Sequence, residues 1–228
     1  MIDEQKEAKQ RIFDAAVHLF ALKGFHAVGV REIALAAKVN ISMINYYFGG
    51  KVGILKEIIN VTWLKYRKAM VDAGNDSTPL RERLGGIVRN FIKFFRENTE
   101  LSMVALSPLP YDIPEIVDLK EKLSYGNFEA MKGFFKQLGV DLCNNAQMSV
   151  LGSLIGNTIL QYFQNCYIWE HHIKTTEEHK KERLDMTCCK DDEFYETYAQ
   201  TITKFYLSGV QSIISKNQKK EEEEKCPQ

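Results

Sequence analysis

Five residues, Ser42, Met43, Asn45, Tyr46 and Tyr47, crowd one short segment whose apolar positions, Ile44 and Phe48, repeat at helical spacing. If Ile44 and Phe48 face inward, the other five are left outward. Aromatic and amide side chains make poor solvated surface, but they suit phosphates and base edges. An Asn amide offers a paired donor and acceptor to an adenine edge, and a Tyr reaches phosphate oxygens or thymine methyl groups. Lys51 follows Gly49-Gly50 at the head of the next helix, where its ammonium joins free backbone N–H groups in a natural phosphate clamp. Arg31, in the first turn of the preceding helix, adds a cation that can reach the nucleic-acid backbone.

These side chains need a scaffold, and the stretch Val30–Leu55 supplies one: two short helices around a tight turn, followed directly by a third. Ile33, Ala34, Ala37, Val39, Ile44 and Phe48 interlock at helical spacing, with the small Ala34 and Ala37 at the close crossing. Gly29 stands at the N-cap of the first helix with Glu32 at its third position, and Asn40 or Ser42 can cap the second. An earlier helix is expected from about Asp3 to Lys23, with Ile12, Ala16, Leu19 and Phe20 on one face and Gly24 as a left-handed stop. The plain alternative is three packed helices of a bundle; the exposed tyrosines, the Asn, the glycine pair and the placed lysine argue against it.

The segment from about Ile12 to Ile58 resembles the TetR family of bacterial transcriptional regulators. The resemblance rests on Gly24-Phe25, on VREIA at Val30–Ala34, and on MINYYFGGK at Met43–Lys51 with Leu55 four residues later. It implies an all-α homodimer with an N-terminal helix-turn-helix DNA-binding domain and a larger C-terminal domain for effector binding and dimerisation. Ser42–Phe48 would be the recognition helix and Lys51 the phosphate contact. Two positions depart from the pattern. Lys38 stands where a glycine is usual in the turn, which implies a left-handed conformation costing about 1 kcal/mol. Gly29 replaces the usual Thr or Ser and removes an expected phosphate contact.

Bulk composition excludes little. The chain is 45% hydrophobic and 26% charged, with 30 Lys plus Arg against 30 Asp plus Glu, so net charge points to no partner. Residues 1–57 carry eight basic side chains against six acidic ones, too small an excess to predict nucleic-acid binding without the motif. No apolar run approaches the roughly 18–20 residues of a membrane span, and the charged N-terminal segment lacks signal-peptide character. Five scattered cysteines suit reduced thiols, so the expectation is a cytoplasmic protein with no membrane partner.

The expected domains are residues 1–57 for DNA binding, residues 58–217 for effector binding and dimerisation, and a charged, disordered tail over 218–228. Along the chain the loop Ala73–Pro79, rich in turn formers and with Pro79 at a helix start, is the clearest domain boundary. Further amphipathic helices are expected at about Pro79–Glu97, Leu101–Leu106, Glu115–Leu138, Asn144–His171 and Asp192–Ser215. The last two carry more apolar residues than one buried face needs. Leu151, Ile155, Ile159, Ile202, Phe205, Tyr206 and Val210 are therefore candidates for a four-helix dimer interface, with Gly152 and Gly156 permitting close approach; an intramolecular core is the competing reading. An effector pocket would draw on Phe91, Phe95, Met103, Met131, Phe134, Phe135 and Tyr162, with Asn157 and Gln161 as polar groups, and suits a small apolar or aromatic ligand. Each of these is singly more typical of plain core.

His171, His172, His179, Cys188 and Cys189 gather imidazoles and thiols, but in no standard metal spacing, so no metal or cofactor is expected. No nucleophile elbow, phosphate loop or paired catalytic carboxylates appear, so an enzyme is not expected. The leading expectation is a homodimeric, ligand-responsive transcriptional regulator, a repressor released from a palindromic double-stranded DNA operator. The alternatives are a helical interaction module that does not use DNA, and a metal- or thiol-sensing regulator.

Overall fold

The computed structural model describes residues 2–72, 78–106, 110–171 and 191–225, and every regular element among them is helical. In chain order these are α1 (Ile2–Lys23), α2 (Val30–Ala37), α3 (Ile41–Phe48), α4 (Lys51–Val71), α5 (Leu80–Glu97), α6 (Thr99–Ala105), α7 (Pro114–Gln137), α8 (Asn145–His171) and α9 (Asp192–Lys225). The chain divides into two compact units, Met1–Arg67 with Glu97–Ser124, and Lys68–Arg96 with Tyr125–Gln228. Most of the expected loop Ala73–Pro79 (residues 73–77) and most of the polar stretch Lys174–Asp192 lie outside the described residues.

The first unit is built on one apolar cluster. Ile12, Ala16, Val17 and Phe20 of α1 meet Ile33, Ala34 and Ala37 of α2, Ile44 of α3, and Ile54, Leu55, Ile58 and Ile59 of α4. Val104 and Ala105 of α6 and Ile116 of α7 complete it. Of the expected inner positions, Ile12, Ala16, Phe20, Ile33, Ala34, Ala37 and Ile44 are buried, while Leu19, Val39 and Phe48 are half-buried; Ile54, Ile58 and Ile59 of α4 are fully buried beside them. Polar ties join the early helices to residues 97–124. His18 Nδ1 lies 2.8 Å from Glu100 Oε1, His26 Nε2 lies 3.3 Å from Asp112, and Lys56 pairs with Glu115.

Turn chemistry sets where these helices begin and end. Gly24 adopts φ 79° after α1, the left-handed stop expected of it. Asn40 caps α3, its Oδ1 accepting from both the Ser42 N–H and the Ser42 hydroxyl at 2.9 Å. Gly49 closes α3 at φ 70° and Gly50 follows at φ 106°. Asn98 precedes α6 without a side-chain cap, its Oδ1 accepting from Lys65 Nζ instead.

In the second unit, α5 buries Leu84, Val88, Phe91, Ile92, Phe94 and Phe95. α8 buries Met148, Leu151, Ile155, Ile159, Phe163, Cys166 and Tyr167. Phe163 is the hinge pin of this packing, stacked against Phe95 at 5.9 Å and against Tyr195 at 6.0 Å. Arg89 of α5 holds α9 through two hydrogen bonds to the Glu196 carboxylate. α9 starts on an Asp191 cap, whose Oδ1 accepts from the Phe194 N–H. The helix continues to Lys225, past Ser215 where the apolar pattern stops, over residues dominated by the strong helix formers Lys and Glu.

Candidate nucleic-acid interface

The site is assembled from three helix ends. α2 and α3 meet through a turn in which Lys38 is the only described non-glycine residue at positive φ, 54° with ψ 49°. The left-handed conformation expected of Lys38 is therefore present. Its amide donates back to Ala34 and Leu35 of α2, so the reversal is fixed by backbone bonds as well as by core packing. Arg11 of α1 donates from Nε to the Ala37 carbonyl at 3.2 Å and braces the same corner.

At the head of α2, Gly29 makes no side-chain cap, as its missing hydroxyl requires. Half of a capping box survives nonetheless. The Glu32 carboxyl is held below its ordinary pKa, first by the Lys23 hydrogen bond at 2.6 Å and also by the Gly29 backbone N–H. Arg31 is exposed one residue earlier, and neither it nor Lys38 has an acidic partner among the described residues.

The outward face of α3 is narrower than its sequence pattern implies. Ser42, Asn45 and Tyr46 are exposed, three residues at helical spacing on one face, and Tyr46 is 78% exposed. Met43 and Tyr47 are half-buried and pack against the apolar cluster. They precede the inward Ile44 and Phe48 by one position, about 100° around the helix, which puts them at the rim of the face. The Tyr46 ring stands edge-on to Tyr47 at 5.0 Å, so the anchored ring props the exposed one.

Lys51 opens α4, three residues after the end of α3. Its Nζ lies 4.2 Å from the centroid of the Phe25 ring, and no carboxylate pairs with it among the described residues. Burial lowers its pKa below the ordinary lysine value. Two residues here carry contacts that the sequence pattern does not announce. Phe25 enters the sequence pattern only within the Gly24-Phe25 pair of the resemblance, yet it is the surface on which Lys51 rests. Gly53 lies in the first turn of α4 where a Cβ would fall 1.6 Å from the Phe48 carbonyl oxygen. A third glycine in GGKVG, inside a helix where glycine is unfavourable, was the available signal.

The remaining candidate residues fall as follows. Phe91, Phe95, Phe134 and Phe135 are buried, Met131 and Tyr162 are half-buried, and Asn157 and Gln161 are exposed, with Gln161 donating to Asn165. All belong to the second unit; Met103, half-buried, belongs to the first. Leu151, Ile155, Ile159, Tyr206 and Val210 are buried within the chain itself, where the Tyr206 hydroxyl donates to the Leu151 carbonyl at 2.9 Å. Ile202 is half-buried and Phe205 is 73% exposed. Gly152 faces the Phe135 ring of the same chain. His171 stacks on Tyr167, while His172, His179, Cys188 and Cys189 lie outside the described residues. Among the described residues no group of His, Cys, Asp or Glu is placed to hold a metal, and no helix is long and apolar enough to cross a membrane.

Fold and site together define an all-helical protein carrying a helix-turn-helix whose second helix presents polar and aromatic side chains outward. Residues 12–58 match the family described as bacterial regulatory proteins, tetR family. A relative, the probable HTH-type transcriptional regulator YttP of Bacillus subtilis (strain 168), is 34% identical over 122 residues. That match takes in 50% of this chain and 59% of the relative's length. The fatty acid degradation regulator FadR from Bacillus halodurans shares the fold with a TM-score of 0.60 at 19% identity, over 87% of this chain and 94% of that one. FadR from Bacillus subtilis, solved in complex with stearoyl-CoA, does so at 0.61 and 17%, over 88% and 98%. A TetR family transcription regulator from Marinobacter aquaeolei VT8 gives 0.60 and 20%, over 89% and 98%. Residues 12–58 thus carry the helix-turn-helix segment of the tetR family, and the chain as a whole shares the all-helical fold of these regulators.

Proposed function

We propose that the protein is a homodimeric, DNA-binding transcriptional regulator rather than an enzyme, acting in the cytoplasm as a repressor released by a small apolar or aromatic effector. The observation that carries this reading is the α3 face: Ser42, Asn45 and Tyr46 exposed together, with Lys51 at the head of α4 beside them. Asn45 and Ser42 read base edges, Tyr46 and Tyr47 reach the backbone, and Arg31 and Lys51 contact phosphates. Met43 contributes from the rim of the face. Two such helices in a dimer enter successive major grooves of a palindromic operator when about 34–36 Å apart.

The dimer face lies on α8 and α9. Leu151, Ile155, Ile159, Tyr206 and Val210 form the layer behind it, and Phe205 is the residue left to meet the partner. Thr201, Ser208, Gly209 and Ser212 are exposed around Phe205 on the same stripe, which leaves room for close approach. The effector binds among the aromatic residues of the second unit, Phe91, Phe95, Phe134, Phe135 and Tyr162 with Met131, near Asn157 and Gln161. Bacillus subtilis FadR, which shares the fold, is solved in complex with stearoyl-CoA, and the acyl chain of that ligand is an apolar group of the kind this reading calls for. An effector that favours a different spacing of the recognition helices releases DNA by population shift.

The test is binding of the purified protein to duplex DNA from upstream of its own gene, in wild-type and Tyr47→Ala/Lys51→Ala forms at two salt concentrations. Tight, salt-sensitive binding that the double variant loses supports the reading, because phosphate contacts impose a steep salt dependence. Adding a long-chain acyl-CoA to the complex then tests the effector class.

A further inference from the structure

Lys51 rests on an aromatic ring and pairs with no carboxylate among the described residues. Lys23 and Lys56 pair with Glu32 and Glu115, and Lys9, which also lies over a ring (Phe48, 5.5 Å), pairs with Glu57 as well. Lys51 has the face of Phe25 instead, 4.2 Å from ammonium to centroid. The two arrangements differ in what they leave for an incoming anion. A carboxylate neutralises the ammonium and must be displaced before a phosphate can bind. An aromatic face attracts the cation through its quadrupole and fixes its direction, yet adds no net negative charge and occupies none of the N–H donors.

The ring is itself fixed. Phe25 follows Gly24, whose positive φ turns the chain out of α1, and its edge meets the buried Phe20 at 5.2 Å. The His26 ring closes on it at 5.4 Å and 81°. Phe25 is half-buried and packs on the apolar cluster of the first unit, so the platform under Lys51 is anchored to the core. Lys51 sits in the first turn of α4, where the leading backbone N–H groups have no helical acceptor. Its own burial leaves the ammonium partly desolvated, which strengthens its attraction for an arriving anion.

We propose that Phe25 is a positioning residue for DNA binding: its ring holds the Lys51 ammonium, uncompensated and pre-aimed, at the head of α4 for one backbone phosphate. This rests on the DNA-binding reading above and adds to it a residue on a different turn that touches no DNA.

The test uses full-length protein and a duplex selected by the wild type from a random pool, with Phe25→Leu, Phe25→Tyr, Lys51→Met and the Phe25→Leu/Lys51→Met double variant. Thermal melting establishes that each is folded. Phe25→Leu keeps the apolar packing and removes the π face, and its affinity is expected to fall about threefold. Phe25→Tyr restores it. In the Lys51→Met background Phe25→Leu has no further effect on affinity. A second readout needs no DNA: the Lys51 ε-methylene proton signal lies upfield in the wild type and returns to the ordinary lysine position in Phe25→Leu. A Phe25→Leu variant that binds like wild type overturns the role of Phe25 while leaving the DNA reading intact. So does a Phe25→Leu change that loses as much affinity in the Lys51→Met background as it does when Lys51 is present. Failure of the wild type to select any duplex overturns the DNA reading and this inference with it.

Discussion

A methyl group on Gly53 would lie 1.6 Å from the carbonyl oxygen of Phe48. The last turn of α3 is thus folded back onto the first turn of α4 as closely as a bare Cα allows, through the paired positive-φ glycines Gly49 and Gly50. Lys51 inherits its place beside the outward face of α3 from this contact. Gly53→Ala must push backbone from backbone, because no side-chain rotation can relieve the clash. The expected loss is about 3 kcal/mol, the upper end for overpacking, read by chemical denaturation. DNA binding is expected to fall further than the loss of folded protein accounts for.

Lys38 offers the opposite experiment. It holds a left-handed conformation at φ 54° that glycine adopts without strain. Lys38→Gly removes a penalty of about 1–2 kcal/mol and adds unfolded-state entropy, for a net gain of about 0.5–1 kcal/mol. A higher melting temperature is the expected outcome; a lower one contradicts the strain argument.

Asn40 caps α3 through its Oδ1. Asn40→Ala is expected to cost about 1 kcal/mol, and Asn40→Asp or Asn40→Ser to cost much less. Because the cap fixes the start of the eight-residue α3, amide exchange within Ile41–Phe48 is expected to accelerate in Asn40→Ala before that of α1 does.

Glu196 ties α9 to α5. The Arg89 hydrogen bonds, seconded by Gln200, hold its carboxyl at about 2, below the ordinary 4.5. A carboxyl with a depressed folded pKa stabilises the fold above its unfolded value and loses that contribution as pH falls through the window from 4.5 to about 2. Glu196→Gln is therefore expected to melt below wild type at pH 7 and to converge with it near pH 2, as followed by circular dichroism. A gap that persists at pH 2 contradicts the assignment.

Phe205 is 73% exposed on α9, a large apolar group on an otherwise small-residue stripe. Phe205→Lys is expected to leave monomer stability nearly unchanged and to shift sedimentation toward monomer. Val210→Lys, by contrast, introduces a charge at a buried site and is expected to unfold the chain.

Much of this was legible in the sequence because period, caps and breakers agree. Gly24, Asn40 and the Gly49-Gly50 pair end or start helices where expected, and Ile12, Ile33 and Ile44 are the inner residues the spacing required. The outward face of α3 was read too broadly. An eight-residue helix lying in a groove half-covers the positions flanking its buried stripe, and Met43 and Tyr47 are those positions. Phe25 and Gly53 were missed for a common reason: each acts through a contact closed by the chain's reversal, Phe25 with Lys51 and Gly53 with Phe48. On α8 and α9 the apolar excess was plain, but hydrophobicity does not tell a residue packed in its own chain from one awaiting a partner. Tyr206 and Phe205, adjacent in sequence, are 4% and 73% exposed.

The central claim, that α3 and the head of α4 read DNA as a symmetric pair, is tested most directly by the shape of the site the protein chooses. The wild type would select from a random duplex pool, and hydroxyl-radical footprinting would map the winning sequence. The account predicts a palindrome with two protected half-sites about 10 base pairs apart, or a related multiple, and loss of both footprints together in Asn45→Ala/Lys51→Ala. No enrichment, or a single asymmetric footprint that survives this double substitution, would contradict it.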